Sequence, residues 1–229
     1  EEISIFELNT VFTPQEDSKL PAERFKLSCA VMKDSLEDLW NVDAPSFFYL
    51  KGILEDYCVQ LGIDDIEFVS AEFAPLHPGR TAEVIIDGVS GGYLGELHPD
   101  VEENYGFSQR VTVCELDFSV LVDASTAERE YQQLPKYPAL SRDLALVVEE
   151  SVTSKEIKEL ILTVGSDIIE SIELFDLYQG EQLENGDKSL AYSINYRVSN
   201  RTLTDDEVNQ VQAEIEEKMD QELDAHIRK

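Results

Sequence analysis

One six-residue device occurs twice in the last hundred residues of this chain, and it dictates most of what that half can become. Val152-Thr153-Ser154-Lys155-Glu156-Ile157 and Leu203-Thr204-Asp205-Asp206-Glu207-Val208 each set a threonine three residues before a glutamate, inside an apolar pair. Each marks a helix start. The threonine hydroxyl accepts from the glutamate N–H, the glutamate side chain reaches back to the threonine N–H, and the apolar pair packs across the first turn. Behind the first box, Ile157, Leu160, Ile161 and Val164 share one helical face up to Gly165. Behind the second, Val208, Val211, Ile215, Met219 and Leu223 recur at helical spacing.

The segments around these two helices read as strands. Asp143 to Glu150 carries Leu144, Ala145, Leu146, Val147 and Val148 in one run, suited to a central strand. Residues 168–178 and 188–200 read as two more strands around Glu184-Asn185-Gly186-Asp187, whose Asn-Gly pair signals a hairpin. The second of these alternates Leu190, Tyr192, Ile194, Tyr196 and Val198 against small or polar residues, and Ala225–Arg228 can close the sheet. The order βαββαβ is that of a ferredoxin-like domain, with two helices on one face of a four-stranded sheet. The other face is left open, as in sheets that recognise RNA.

Residues 1–122 form a different domain, and the two together make an α+β chain. Ile3–Phe12 and Arg24–Met32 read as paired strands, and Phe47, Leu50, Leu54, Tyr57, Cys58 and Leu61 mark a helix ended by Gly62. Ile66–Ala71, Thr81–Ile86, Gly92–Leu97 and Val111–Val122 supply further strands, with Asp87-Gly88 as a hairpin turn. The polar stretch 123–133 reads as a linker to the second domain, 134–229. The chain opens on a strand without an initiator Met, which suggests an excised piece of a longer protein truncated at its N-terminus.

Composition narrows the function classes. Three isolated cysteines, Cys29, Cys58 and Cys114, lie in apolar segments and read as buried thiols of a cytoplasmic protein. His77, His98 and His226 share no ligand-like spacing, so no metal site is expected. No apolar run approaches membrane-spanning length. The net charge of −30 opposes bulk attraction to nucleic acid. Residues 130–229 carry 22 acids against 10 bases, and residues 1–129 carry 26 against 8. Any RNA contact must therefore be local.

Four segments of the second domain occur in a telling order: Leu134 to Val147, Leu174-Phe175-Asp176-Leu177-Tyr178-Gln179-Gly180, Lys188 to Tyr192, and Arg201 to Glu207. They resemble the ferredoxin-fold anticodon-binding domain that ends the β subunit of bacterial phenylalanyl-tRNA synthetase. Phe6 to Phe12, Leu50-Lys51-Gly52, Leu76-His77-Pro78-Gly79-Arg80 and Gly92 to Pro99 resemble the catalytic-like module of the same subunit. That module is a class II synthetase-like antiparallel sheet. Two unrelated domains thus resemble one parent.

The resemblance implies a non-catalytic part of a phenylalanine–tRNA ligase. The implied partners are a catalytic α subunit in an α2β2 heterotetramer and tRNA(Phe), with ATP and magnesium used by the parent and no cofactor in this chain. Class II adenylation needs arginine clamps on the nucleotide phosphates. Here the strand expected to carry one reads Phe6-Glu7-Leu8, no Gly-x-Gly occurs, and Glu115 and Asp117 stand where the third class II motif would fall. Gly91-Gly92-Tyr93-Leu94-Gly95 lacks the lysine and helix start of a phosphate loop and reads as close strand packing. Both Leu-His-Pro triplets read as turn-forming strand ends.

The family's base-contacting positions fall on Ala145, Asp176, Tyr178 and Ser189. In that reading Tyr178 stacks on the wobble guanine, Ala145 closes its other face, and Asp176 and Ser189 read its edge. Taken alone, Tyr178 reads more readily as an ordinary strand tyrosine. Lys136, Arg142, Arg197 and Arg201 are either phosphate contacts or surface and fold charges, an Arg142–Asp143 pair among them. A stand-alone RNA-binding or regulatory module would explain only 134–229, and a structural interaction module would bind no tRNA. A single-chain organellar synthetase would keep the missing arginines.

Overall fold

The structure is a computed structural model that describes residues 2–16, 18–32, 46–126, 131, 133–180, 183 and 186–228. It divides into two compact units, Glu1–Tyr131 and Gln132–Lys229.

In the first unit six strands form one antiparallel sheet: β1 (Ile3–Thr13), β2 (Ala22–Met32), β3 (Ile66–Ser70), β4 (Leu76–Ile86), β5 (Val89–Leu97) and β6 (Val111–Asp117). Their order is β1-β2-β6-β5-β4-β3. Helix α1 (Ser46–Leu61) buries Leu50, Leu54 and Cys58 against Leu27, Val31, Val84, Ile86, Leu94 and Leu116 of the sheet. Gly92 is a required glycine. Its φ is +146°, and a Cβ there would sit 2.0 Å from the Glu115 carbonyl oxygen, so the close β5–β6 approach read from the glycine run is present.

Two elements differ from expectation. The strand expected to run from Val111 to Val122 stops at Asp117, whose carboxylate accepts from the Ser119 N–H and opens helix α3 (Phe118–Ala124). A local cap outweighs the β-branched run behind it. The second Leu-His-Pro triplet likewise starts a helix, α2 (Pro99–Tyr105), with the His98 ring accepting from the Asp100 N–H and Pro99 in the first turn. Within the stretch read as a linker, the Thr126 N–H donates to the Leu61 carbonyl, a bond inside the first unit.

The second unit has the βαββαβ order: β7 (Leu140–Glu149), α4 (Ser154–Gly165), β8 (Ile169–Tyr178), β9 (Asp187–Tyr196), α5 (Asp205–Leu223) and β10 (His226–Ile227). The sheet order is β10-β7-β9-β8, every pair antiparallel, which is the ferredoxin fold. Both capping boxes are complete. Leu144, Leu146 and Val148 of β7, with Leu190, Tyr192, Ile194 and Tyr196 of β9, pack against Ile157, Ile161, Val208, Ile215 and Met219. Burial of each such side chain contributes about 1.5–3 kcal/mol. The two tyrosine hydroxyls keep partners, Tyr192 at Ser154 and Tyr196 at Gln212. Glu184 and Asn185 of the expected hairpin lie outside the described residues.

Candidate nucleic-acid interface

Because successive residues of a strand face opposite ways, the residues between the buried ones line the open face of the second sheet. Strand register brings the sequence candidates together there. Ala145 on β7 pairs with Ala191 on β9, which pairs with Asp176 on β8. In the next row Val147 pairs with Ser189, which pairs with Tyr178. Ala145, Val147, Ser189 and Ala191 make a floor of small side chains, Ser189 buried at 5% exposure and the other three half-buried, with Asp176 exposed and Tyr178 half-buried along the β8 side.

A bulge puts Asp176 and Tyr178 on this face. Leu174 pairs with Tyr192 and Asp176 with Ala191, leaving Phe175 as an extra residue. One extra residue reverses the alternation. Without it, Asp176 and Tyr178 would point toward the helices and Leu177 toward solvent. Behind the Tyr178 ring lies Gly180. A Cβ there would meet the Tyr178 hydroxyl at 2.7 Å and Cζ at 2.9 Å, so only glycine leaves the ring in this position.

The basic candidates fall into two groups. Lys136 is exposed just ahead of β7, and among the described residues no ion pair holds it. The arginines are engaged within the unit. Arg142 holds Asp205 at the start of α5, Arg197 holds Glu170 at 3.0 Å, and Arg201 grips both carboxylate oxygens of Glu207. Arg142 pairs with Asp205 rather than with its neighbour Asp143, because adjacent strand residues point to opposite faces. Arg201 and the Thr204 N–H and hydroxyl together hold the Glu207 carboxyl down at about 2.

Two residues that sequence reading passed over belong to this face. Ala191 is the centre of the floor, and only the register reveals it. Arg228 follows β10. Its backbone N–H donates to the Ala145 carbonyl at 2.9 Å, and its guanidinium lies 5.5 Å from the centre of the Tyr178 ring.

The first unit offers different chemistry. A cleft of about 630 Å³ on its sheet is lined by Glu7, Lys26, Phe73, Tyr93, Cys114 and Glu115 among others. Lys26 lies 3.8 Å from Glu115 and 3.7 Å from Asp117, so its one cation is shared by two carboxylates. Cys29 and Cys114 pair across β2 and β6, and their hydrogen bond, with burial, pushes the Cys114 thiol up. Among the described residues no group of three or more histidine, cysteine, aspartate or glutamate side chains could hold a metal. No helix among them is long and apolar enough to cross a membrane.

Comparison with known proteins divides the chain at the same place. The family model for the "Phenylalanyl tRNA synthetase beta chain CLM domain" matches residues 1–118. The chain belongs to the phenylalanyl-tRNA synthetase β-chain family. A second family model, the "Ferredoxin-fold anticodon binding domain", matches residues 135–228. Curated β-chain relatives align along the whole sequence. The phenylalanine–tRNA ligase beta subunit of Symbiobacterium thermophilum is 38% identical over 99% of this chain and 26% of its own length. That of Clostridium tetani is 39% identical over 98% and 27%, and that of Bacillus subtilis 34% identical over 99% and 28%. The chain thus spans about a quarter of the length of the curated β subunits it matches. Among solved structures, pyrrolysyl-tRNA synthetase from Desulfitobacterium hafniense covers 53% of this chain and 41% of its own at 15% identity. Its TM-score of 0.40 is too low to carry an argument.

Proposed function

We propose that the second unit reads the anticodon of tRNA(Phe) on its open sheet, and that the first supports a catalytic α subunit without doing chemistry itself. The observation that carries the reading is the meeting of Ala145, Asp176, Tyr178 and the buried Ser189 on two neighbouring rows of one sheet face, the face away from the helices. A base laid over the small floor stacks on Tyr178, and the Asp176 carboxylate accepts from guanine N1–H and N2–H. The Ser189 hydroxyl completes the edge contact. Stacking of this kind contributes about 1–3 kcal/mol per base. Lys136 faces a backbone phosphate, whereas Arg142, Arg197 and Arg201 serve the fold through their carboxylate partners.

In this reading the longer protein is the β subunit of an α2β2 cytoplasmic ligase that uses ATP and magnesium on its α subunit. The exposed apolar side chains of edge strand β1, Ile5, Phe6 and Phe12, support a partner surface on the first unit. The carboxylates Glu7 and Glu115 in its cleft oppose a nucleotide phosphate.

Binding of the 229-residue chain to synthetic anticodon stem-loops tests the proposal. A guanine-first loop binds more tightly than an adenine-first loop, and Tyr178→Ala weakens it by roughly 5- to 150-fold. Equal affinity for the two loops, or an unchanged Tyr178→Ala affinity, defeats the anticodon reading. Phenylalanine-dependent pyrophosphate exchange by this chain alone defeats the non-catalytic one.

A further inference from the structure

We propose that Arg228 is a further RNA-binding residue of this face. It covers the Tyr178 ring while the site is empty, gives way to the incoming base, and carries its charge to an adjoining backbone phosphate. The inference rests on the anticodon reading and adds to it a residue and an exchange.

Three observations support it. First, the backbone of Arg228 is fixed beside the floor. Register pairs His226 with Val147 and Ile227 with Leu146, so the next residue falls opposite Ala145, where the 2.9 Å bond from its N–H to the Ala145 carbonyl holds it. Its side chain shares the face of Ala145, Ala191 and Asp176. Second, that side chain crosses the floor. β10 and β8 are the two edges of the sheet, three strand spacings or roughly 14 Å apart. The guanidinium on the β10 side nevertheless lies 5.5 Å from the centre of the Tyr178 ring on β8. The Tyr178 hydroxyl stays beside Gly180 of its own segment, so it is the Arg228 side chain that extends over the small residues toward the ring.

Third, among the described residues the cation has no competing carboxylate partner. Arg142, Arg197 and Arg201 are each held by a carboxylate, but among the described residues none lies within ion-pair distance of Arg228. Its guanidinium lies instead over the Tyr178 ring. An exposed cation–π contact is worth about 0.5–1 kcal/mol. Base stacking at about 1–3 kcal/mol exceeds it, so a base can displace the guanidinium, which then remains tethered beside the bound nucleotide. The absence of a Cβ at Gly180 leaves the hydroxyl end of the ring its room. The ring is thereby held ready for a flat ligand.

The test is salt-dependent binding of the 229-residue chain and its Arg228→Ala and Arg228→Lys variants to a guanine-first anticodon stem-loop. The Tyr178 ring signals are followed by NMR. Each phosphate contact contributes about 0.7 to the slope of log K against log [salt] for single strands. Arg228→Ala is expected to lower the slope by about that amount and to weaken binding roughly 5-fold at 0.1 M salt. Arg228→Lys keeps the slope. In the free chain Arg228→Ala shifts the Tyr178 ring signals, and with RNA bound the wild-type and variant signals converge because the guanidinium has left. An unchanged slope, or a ring-signal difference that persists in the complex, overturns the exchange while leaving the anticodon reading standing. Absence of stem-loop binding by the wild-type chain overturns the reading itself.

Discussion

Ala191→Leu separates a binding floor from an ordinary sheet surface. Ala191 lies one strand spacing, about 4.8 Å, from both Ala145 and Asp176 in the same row. Three added carbons there rise into the space that a base stacked on Tyr178 must occupy. The core stays intact, because the buried face of β9 is built from its neighbours Leu190 and Tyr192. Stability should therefore change by no more than about 0.5 kcal/mol. Binding should lose most of the stacking contribution, about 1–3 kcal/mol or roughly 5- to 150-fold. Fluorescence anisotropy with a labelled stem-loop reads the affinity, and a circular dichroism melt checks the fold. Wild-type affinity in the variant would mean that no base lies over Ala145, Ala191 and Ser189. A melting point lowered by many degrees would mean that the side chain does not face solvent as the register requires.

Three further outcomes follow from the packing and electrostatics. Glu207 has a folded pKa of about 2, below the ordinary carboxylate value near 4.3. Its interactions with Arg201 and Thr204 therefore stabilise α5 fully above about pH 4.3 and are lost as pH falls through about 2. Denaturant midpoints should fall less steeply with acidification in Glu207→Gln than in the wild type, and parallel curves would refute this. Thr204→Ala removes the same cap from the other side and should cost about 1 kcal/mol, read as a drop of roughly 4–8 °C in the melting of the second unit. Gly92→Ala forces a Cβ to within 2.0 Å of the Glu115 oxygen at a φ of +146°. It should destabilise the first unit by about 3 kcal/mol or more, and a chain that melts like wild type would disprove the close β5–β6 approach.

What could be read from residues alone was local. The two Thr-x-x-Glu boxes specify helix starts within four residues, and β9 alternates from Leu190 to Tyr196, so the second sheet and its buried face follow from short-range chemistry. The same logic misjudged 117–124, where β-branched residues suggest strand but the Asp117 side chain bonds the Ser119 N–H and starts a helix. Long-range features were invisible for a definite reason. The Phe175 bulge leaves no mark in residue type, yet it decides which face Asp176 and Tyr178 share. Ala191 and Arg228 become members of the site only through register and a side chain reaching across the sheet. Ion pairs such as Arg142 with Asp205 likewise join residues far apart in sequence.

The acidic charge and the proposed RNA-binding surface are compatible once the described cations of the second unit are followed. Arg142, Lys155, Arg197, Arg201 and Lys218 each stand beside a carboxylate, so much of the positive charge is neutralised within the fold. Lys188 is bonded to the Glu150 carbonyl. Lys158 is half-buried, and among the described residues Lys136, ahead of β7, and Arg228, after edge strand β10, are the exposed cations left without a carboxylate partner. Such a surface contributes little long-range attraction, and its salt slope should be that of one or two phosphate contacts, roughly 0.7–1.4. On the proposed reading, discrimination then comes from stacking and from the Asp176 and Ser189 edge contacts. A steep salt slope would instead place the binding surface somewhere other than this open sheet.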